Sequence, residues 1–277
     1  MKNMNKLTAV ALALCAAGTA NAGKGGSAAN IKQAVASGSQ DAIIAEVERT
    51  EGLMCQECID TVTALTEDNR YAVREVAAWW FAKRPQLAEL MSAQMIDDLR
   101  LDSLHVRNAA DFLGAVKDLK SLPALRTTMA HAGNLNADAR LALVRAAGFL
   151  AHVGGNPILE AGMVDADAGV RTAAIDAWRD VIHQTGNIGA IEARLADADS
   201  TVRAHAATVV GAKHDMAARA TLENLVVNDP DAYVRRNAAY ALGKLGSADS
   251  RAALELASGD KSGLVKNVAK AALASLK

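Results

Sequence analysis

The chain has 277 residues, of which 51% are hydrophobic and only 3% aromatic, and its formal net charge is −1. Because the apolar residues are mostly alanine, leucine and valine, the composition favours close-packed helices over a β core built from large side chains. The absence of a basic excess argues against a protein that binds nucleic acid or another polyanion.

The first 22 residues are typical of a secretory signal peptide. Lys2 and Lys6 give a positively charged start, residues 7–17 are apolar, and residues 20–22 (Ala-Asn-Ala) offer a small-x-small cleavage site. The apolar stretch is shorter than the roughly 20 residues that a transmembrane helix needs. We therefore predict export, with cleavage after Ala22.

Removal of this segment deletes two lysines and no acid, which lowers the net charge from −1 to −3. A lipid anchor at Cys15 is less favoured, because Leu14 stands where a lipoprotein signal needs a small residue. No later stretch is apolar over about 18 residues, so no membrane span is predicted. The expected location is the periplasm or the cell exterior.

The mature chain is predicted to start with a flexible segment, residues 23–28, followed by an N-terminal helical cap over residues 29–54. The cap contains two amphipathic stretches, residues 31–36 and 42–48. Residues 55–277 then form one repetitive domain, since no composition change marks a second one.

Cys55 and Cys58, at the expected start of a helix, are the two cysteines that remain after export. A local disulfide that fastens the cap is the favoured interpretation for an exported protein. Redox exchange or cofactor handling remains an alternative, since thiols at helix N-termini are acidified. Metal ligation is a third, although the pair supplies two ligands where structural zinc takes four.

A sequence unit that resembles Asp-x-x-Val-Arg-x-x-Ala returns every 31 to 34 residues. Between its copies lie further amphipathic stretches, for example residues 87–99, 189–195 and 217–227. Each repeat is thus predicted to be a pair of antiparallel helices, which must stack on its neighbours to bury both apolar faces. The seven copies begin at Arg70, Asp102, Asn136, Asp167, Asp199, Asp231 and Ser262.

Each position of the unit has a predicted structural role. An Asp, Asn or Ser at the start accepts hydrogen bonds from the first turn of the helix that follows. In the copy from Asp231, the residues Val234, Ala238 and Leu242 recur at four-residue steps and form an apolar stripe. Gly243 is small enough to let the next helix approach, and Gly246 ends the helix.

The motif resembles HEAT repeats, and its short Val-Arg-x-x-Ala-Ala units resemble the phycobilisome-lyase subgroup, over roughly residues 55 to 277. This resemblance implies an all-α α-solenoid, a right-handed superhelix of about seven helical hairpins. It also implies a structural ladder of ion pairs between repeats, interrupted near both ends where the motif degenerates. The predicted ladder contains Asp102, Asp167, Asp199, Asp231, Arg74, Arg140, Arg171, Arg203 and Arg235.

By the same resemblance, the motif helices line the concave surface of the solenoid. Positions of these helices that lie opposite the apolar stripe are therefore candidates for partner contact. They include the Trp, Tyr and Arg residues that are enriched at binding hot spots. The candidates are Trp79, Arg107, Asp111, Arg145, Asp176, Arg236 and Tyr240.

Nothing in the sequence specifies catalysis. The six histidines are scattered, with no His-Glu dipeptide, and we find no metal motif, nucleophile elbow or phosphate loop. We expect no metal and no cofactor, and a monomeric scaffold that binds a protein or peptide. The alternative is a redox or lyase-like cofactor-handling protein that uses Cys55 and Cys58; a HEAT-type DNA-repair enzyme is disfavoured by the charge and the signal.

Overall fold

The computed structural model describes residues 25–181 and 186–276, and within these ranges the chain is helical without any β-strand. The predicted signal peptide and residues 23–24 of the predicted flexible start lie outside the described residues. Two compact units divide the chain, Met1–Leu150 and Ala151–Lys277. We call them the N-terminal and the C-terminal unit. Over the described ranges, no helix combines the length and apolar character needed to cross a bilayer.

The N-terminal unit begins with the two cap helices and continues as helical hairpins. The first helix starts at Ala28, capped by Ser27, slightly before the start that the sequence indicates. Short 3-10 turns at Leu119–Ser121 and Ala132–Asn134 flank one of the later helices. The helices are α1 (Ala28–Ser37), α2 (Gln40–Arg49), α3 (Gln56–Leu65), α4 (Tyr71–Ala82), α5 (Pro85–Asp98), α6 (Ser103–Ala115), α7 (Leu122–Ala130) and α8 (Ala137–Leu150).

The C-terminal unit is likewise a series of hairpins, in which 3-10 turns start or extend the shorter helices. These turns are Val153–Gly155, Ala193–Ala196, Met216–Ala218 and Ala248–Ser250. The helices are α9 (Asn156–Met163), α10 (Ala168–Asp180), α11 (Gly189–Glu192), α12 (Ser200–Ala212), α13 (Arg219–Asn228), α14 (Ala232–Leu245), α15 (Arg251–Ala257) and α16 (Gly263–Ser275).

Each copy of the sequence motif begins one residue before a helix, so the motif residue is the N-cap. The side chains of Asp102, Asp167, Asp199 and Asp231 accept hydrogen bonds from backbone N–H groups of the first turn. Ser262 departs from the prediction, because its side chain makes no capping hydrogen bond. At the other end of the motif, Gly246 adopts the left-handed conformation that stops α14.

Successive motif helices pack side by side within each unit. Their close approach depends on the small residues of the repeat. A Cβ atom placed on Gly211 of α12 would lie 2.5 Å from the Cα of Ala241 in α14. In the N-terminal unit, a Cβ on Gly114 would lie 2.7 Å from the Cα of Ala146. The glycine therefore sets the helix spacing, as the sequence predicts for this position.

A ladder of arginine–aspartate pairs links successive repeats of the C-terminal unit, but its acids differ from the prediction. The partners of Arg171, Arg203 and Arg235 are Asp197, Asp229 and Asp260, at distances of 2.7–3.1 Å. These acids lie two residues before the expected ones. Each arginine also donates to the backbone carbonyl oxygen of the residue two positions before the cap of its own helix. The prediction was wrong for Asp102, Asp167, Asp199 and Asp231 because their carboxylates cap helices instead.

This shift also removes the interruption expected at the C-terminal end. Asp260 precedes Ser262 by two residues, so Arg235 has a partner although the last cap is not an acid. The Arg235 hydrogen bonds hold the pKa of Asp260 below its usual value. Each ladder acid also accepts a hydrogen bond from the backbone N–H two residues later, which fixes the turn before the motif helix.

In the N-terminal unit, the motif arginine Arg74 pairs with an acid at a different position of the repeat. Arg100 stands two residues before Asp102, so Arg74 finds no carboxylate there. Arg74 instead donates to Asp111 of α6, from Nη2 at 2.5 Å and from Nε at 3.1 Å. Arg145 of α8 binds the other oxygen of Asp111, from Nη2 at 2.7 Å. Asp111 is 3% exposed, which contradicts its prediction as a partner-contact residue.

The side chains of Trp80 and Arg84 connect the cap to the first motif helix. The indole N–H of Trp80 donates to the backbone oxygen and the hydroxyl of Thr50, at the end of α2. The guanidinium of Arg84 lies 3.4 Å from the centre of the Trp80 ring and donates to the carbonyl oxygens of Glu51 and Leu53. Burial lowers the pKa of Arg84 to about 10. These bonds hold the segment that leads into Cys55.

Candidate binding cleft

The predicted contact residues fall into three groups by exposure. Tyr240 is 40% exposed, and Asp111 is buried as described above. The others are half-buried on their motif helices. These are Trp79, Arg107, Arg145, Asp176 and Arg236.

Three of these candidates lie together in the C-terminal unit. Asp176 of α10 and Arg236 and Tyr240 of α14 line one open cleft of about 350 Å³. The helix between them, α12, contributes His205 and Thr208. The remaining lining residues, which were not among the predicted contact residues, are Arg179, Tyr233 and Asn237.

One wall of the cleft is a single face of α14. Tyr233, Arg236 and Tyr240 follow one another at three- and four-residue steps, and residues at this spacing lie side by side on a helix. Tyr233 is 47% exposed and Tyr240 40% exposed, so both phenol rings are available to a ligand. Lys244 continues the face, with its Nζ 5.3 Å from the centre of the Tyr240 ring.

The opposite wall carries a shared carboxylate. Both oxygens of Asp176 lie within 3.0 Å of Nδ1 of His205, and Arg179 Nη1 lies 3.6 Å from Oδ1. Arg179 also pairs with the neighbouring Asp180, whose pKa its hydrogen bonds lower. Asp176 therefore has a close contact with an imidazole and a more distant guanidinium neighbour. The Nε2 edge of His205 remains available to a ligand, because all its described contacts use Nδ1.

The motif helices of the N-terminal unit carry a second group of candidates. The guanidinium of Arg145 lies 4.4 Å from the centre of the Tyr71 ring while it binds Asp111. Burial raises the pKa of Tyr71. Arg107 donates to the side chain of Asn108, its Nη2 is buried without a described partner, and burial lowers its pKa. Trp79 lies beneath Lys83, whose Nζ is 5.3 Å from the ring centre.

Cys55 and Cys58 stand at the start of α3. Their Cα atoms are 5.2 Å apart and their sulfur atoms are within disulfide distance. Cys55 is the N-cap of α3, and its Sγ accepts a hydrogen bond of 3.0 Å from the backbone of Cys58. Cys58 is fully buried, whereas Cys55 is half-buried. In the described parts of the chain, no group of three or more His, Cys, Asp or Glu residues could hold a metal ion.

Stacked helical hairpins with a recurring cap, glycine and arginine define a helical-repeat protein. A family model described as HEAT repeats matches residues 188–274, all within the C-terminal unit. The predicted resemblance to HEAT repeats is confirmed over these residues. The fold class is the all-α class of α-solenoids. A comparison with curated protein sequences finds no match.

Several solved structures are similar to this chain. YibA of Escherichia coli is 15% identical over 88% of this chain and 91% of its own, with a TM-score of 0.58. The structure of Kap95p bound to RanGDP matches 90% of this chain but only 38% of that chain, at 12% identity and a TM-score of 0.60. At these identities the likeness shows the fold alone.

The complex of CpcE and CpcF of phycocyanin lyase from Nostoc sp. PCC7120 is also similar, at 20% identity over 79% of this chain and 94% of that chain. Its TM-score of 0.40 is too low to support an argument from its activity. The fold fits a scaffold that binds proteins, since stacked repeats provide extended surfaces for that purpose.

Proposed function

We propose that this protein is an exported, non-catalytic scaffold that binds a protein or peptide through its motif helices. The observation that carries the proposal is the cleft of the C-terminal unit, where two exposed tyrosines flank Arg236. Most charged motif residues are already used in caps and ladder pairs. The cleft residues are left for binding.

The lining of the cleft favours a polypeptide over other ligands. Tyrosine and arginine are enriched at protein-binding hot spots, because they combine a large contact area with directional hydrogen bonds. The cleft is open rather than enclosed, which suits an extended segment better than a small cofactor. The basic residue Arg179 is paired with Asp176 and Asp180, so the cleft is not the continuous basic surface that a nucleic acid requires.

Capture of partners from periplasmic extract tests this proposal. We expect Tyr233→Ala/Tyr240→Ala to lose the captured partner, because the double change removes the aromatic surface of the cleft. A matched control is Leu256→Ala/Leu264→Ala, which removes two side chains that are each 68% exposed elsewhere in the same unit. An identical set of captured proteins for wild type and the tyrosine variant would refute the cleft as the binding site.

Export is part of the proposal and has its own check. The signal-like residues 1–22 support it. We expect the protein in the periplasmic fraction, with an N-terminus at Gly23. Recovery of the full-length chain in the cytoplasmic fraction alone would contradict export.

A second candidate function is thiol–disulfide exchange. It is favoured by one observation, the half-buried Cys55 at the N-terminus of α3, where the helix dipole stabilises a thiolate. The alternative is a structural disulfide, which we call the staple, in the segment that Arg84 and Trp80 hold against the cap. We favour the staple, because the partner thiol Cys58 is fully buried.

Substitution of both cysteines separates the two hypotheses. If the pair is a staple, we expect Cys55→Ser/Cys58→Ser to lower the free energy of unfolding by about 2 kcal/mol, the loop-closure value for so short a loop. Partner capture should be unchanged, and reduction of the wild type should cause the same loss. A variant of unaltered stability that loses partner capture or a cellular phenotype would favour the redox role instead.

A further inference from the structure

The C-terminal cleft contains a cation that the protein itself does not neutralise. Arg236 donates from Nη1 to Oδ1 of Asn237 at 2.8 Å, and within the described residues it has no carboxylate partner. A guanidinium has five N–H donors in a planar fork that matches a carboxylate. Most donors of Arg236 are therefore free for a ligand.

Asn237 holds this guanidinium in place. It is 4% exposed, and its amide nitrogen donates to the carbonyl oxygen of Ala204 in α12 at 3.4 Å. The Asn237 side chain is thus tied to a neighbouring helix while its oxygen accepts from Arg236. A pre-positioned arginine loses less side-chain entropy when a ligand binds.

The surroundings of Arg236 favour a ligand that combines a negative charge with apolar neighbours. Tyr233 and Tyr240 flank the guanidinium along α14 and offer apolar ring surface on both sides. The Asp176 carboxylate, across the cleft, would repel a ligand with many negative charges. Asp176 already contacts Nδ1 of His205 and lies 3.6 Å from Arg179, whereas Arg236 contacts a neutral amide.

We infer that the C-terminal cleft binds an acidic side chain of an extended peptide, with the carboxylate paired to Arg236 and the flanking peptide residues against Tyr233 and Tyr240. This inference rests on the proposed binding function and specifies its ligand. Hydrogen bonds between charged partners distinguish a carboxylate from an amide of the same shape. Glutamate should therefore be preferred over glutamine in the bound peptide.

Binding of the purified full-length mature protein to a peptide array tests the inference. The array pairs peptides of random flanking sequence that differ only by Glu or Gln at the centre. We expect a subset of the Glu members to bind about tenfold or more tightly than their Gln partners, the factor for a difference near 1.4 kcal/mol. Inorganic phosphate should not displace the bound Glu peptides. Displacement by phosphate at the same concentration as the peptide would overturn the carboxylate assignment.

Two variants complete the test. Arg236→Gln should abolish the preference for Glu. The thermal unfolding midpoint should not change, because Arg236 makes no ion pair with a described residue. Arg251→Gln, at an exposed arginine of α15 outside the cleft, should retain the preference. A preference that persists in Arg236→Gln, equal binding of Glu and Gln members, or no binding at about 1 mM would each overturn the inference.

Failure of the inference can be distinguished from failure of the proposed function. If Glu and Gln peptides bind equally, yet Tyr233→Ala/Tyr240→Ala loses the captured partner, the cleft binds polypeptide without recognising an acid. If neither the array nor the tyrosine variant shows an effect, the proposed function fails as well.

Discussion

Asp229→Ala is expected to lower the free energy of unfolding by about 3 to 5 kcal/mol, because it leaves a largely buried guanidinium without its counter-charge. Both oxygens of Asp229 accept from Arg203, at 2.8 and 3.0 Å, and the side chains are 3% and 13% exposed. The change also removes the acceptor for the backbone N–H of Asp231. Urea-induced unfolding followed by circular dichroism measures the loss.

Asp231→Ala is the matched control, since it removes the neighbouring acid of the same turn. The Asp231 side chain caps α14 through the N–H of Tyr233, so its loss should cost about 1 kcal/mol. The two variants separate the ladder acid from the cap acid. A larger loss of stability for Asp231→Ala than for Asp229→Ala would instead support Asp231 as the ladder acid that the motif suggests.

Asp111→Ala is expected to have a loss of comparable size, about 3 to 5 kcal/mol, because one buried carboxylate neutralises two arginines. The side chain of Arg74 is 4% exposed and that of Arg145 26%, so Arg74 has little access to solvent once Asp111 is gone. We expect the unfolding midpoint to fall sharply in thermal scans, with no effect on partner capture at temperatures where the variant remains folded.

Asp176→Ala is the control for that prediction, because both acids stand nine residues after a helix cap. The side chain of Asp176 is 35% exposed, and its partners are a histidine and a distant Arg179 nitrogen. Ion pairs of this exposure contribute at most about 1 kcal/mol. Equal losses in the two variants would show that the position in the motif, and not burial, determines the effect.

The repeat architecture could be predicted from the sequence because it depends on local and periodic signals. A capping residue, apolar steps of three and four, and a small residue near the helix end all act within one copy of the motif. The helix starts after Asp199 and Asp231 and the stop at Gly246 followed directly from them.

The existence of the ladder was predicted, but with the wrong acids. Each turn contains two acids, and either could pair with the arginine of the neighbouring repeat. Asp197 and Asp229 precede the caps Asp199 and Asp231 by two residues, and this Asp-x-Asp spacing was visible in the sequence. The cap position requires its carboxylate to turn toward its own helix. Only the preceding acid is left to reach the arginine of the neighbouring repeat.

The candidate site was less predictable, because burial on a repeat helix depends on the neighbours. Asp111 and Tyr240 occupy the same motif position, yet Asp111 is buried between two arginines and Tyr240 is exposed. The pairing of His205 with Asp176 joins two repeats and carries no signal in either copy. Tyr233, three residues before Arg236, could have been found from helix periodicity.

Photo-crosslinking tests the central claim most directly, namely that partners bind at the cleft of the C-terminal unit. The photoreactive residue p-benzoylphenylalanine would replace Tyr240 in the cleft or Leu256 on α15 outside it. In illuminated cells, our account predicts a specific crosslinked protein from position 240 and none from position 256. Crosslinking from position 256 alone would contradict it.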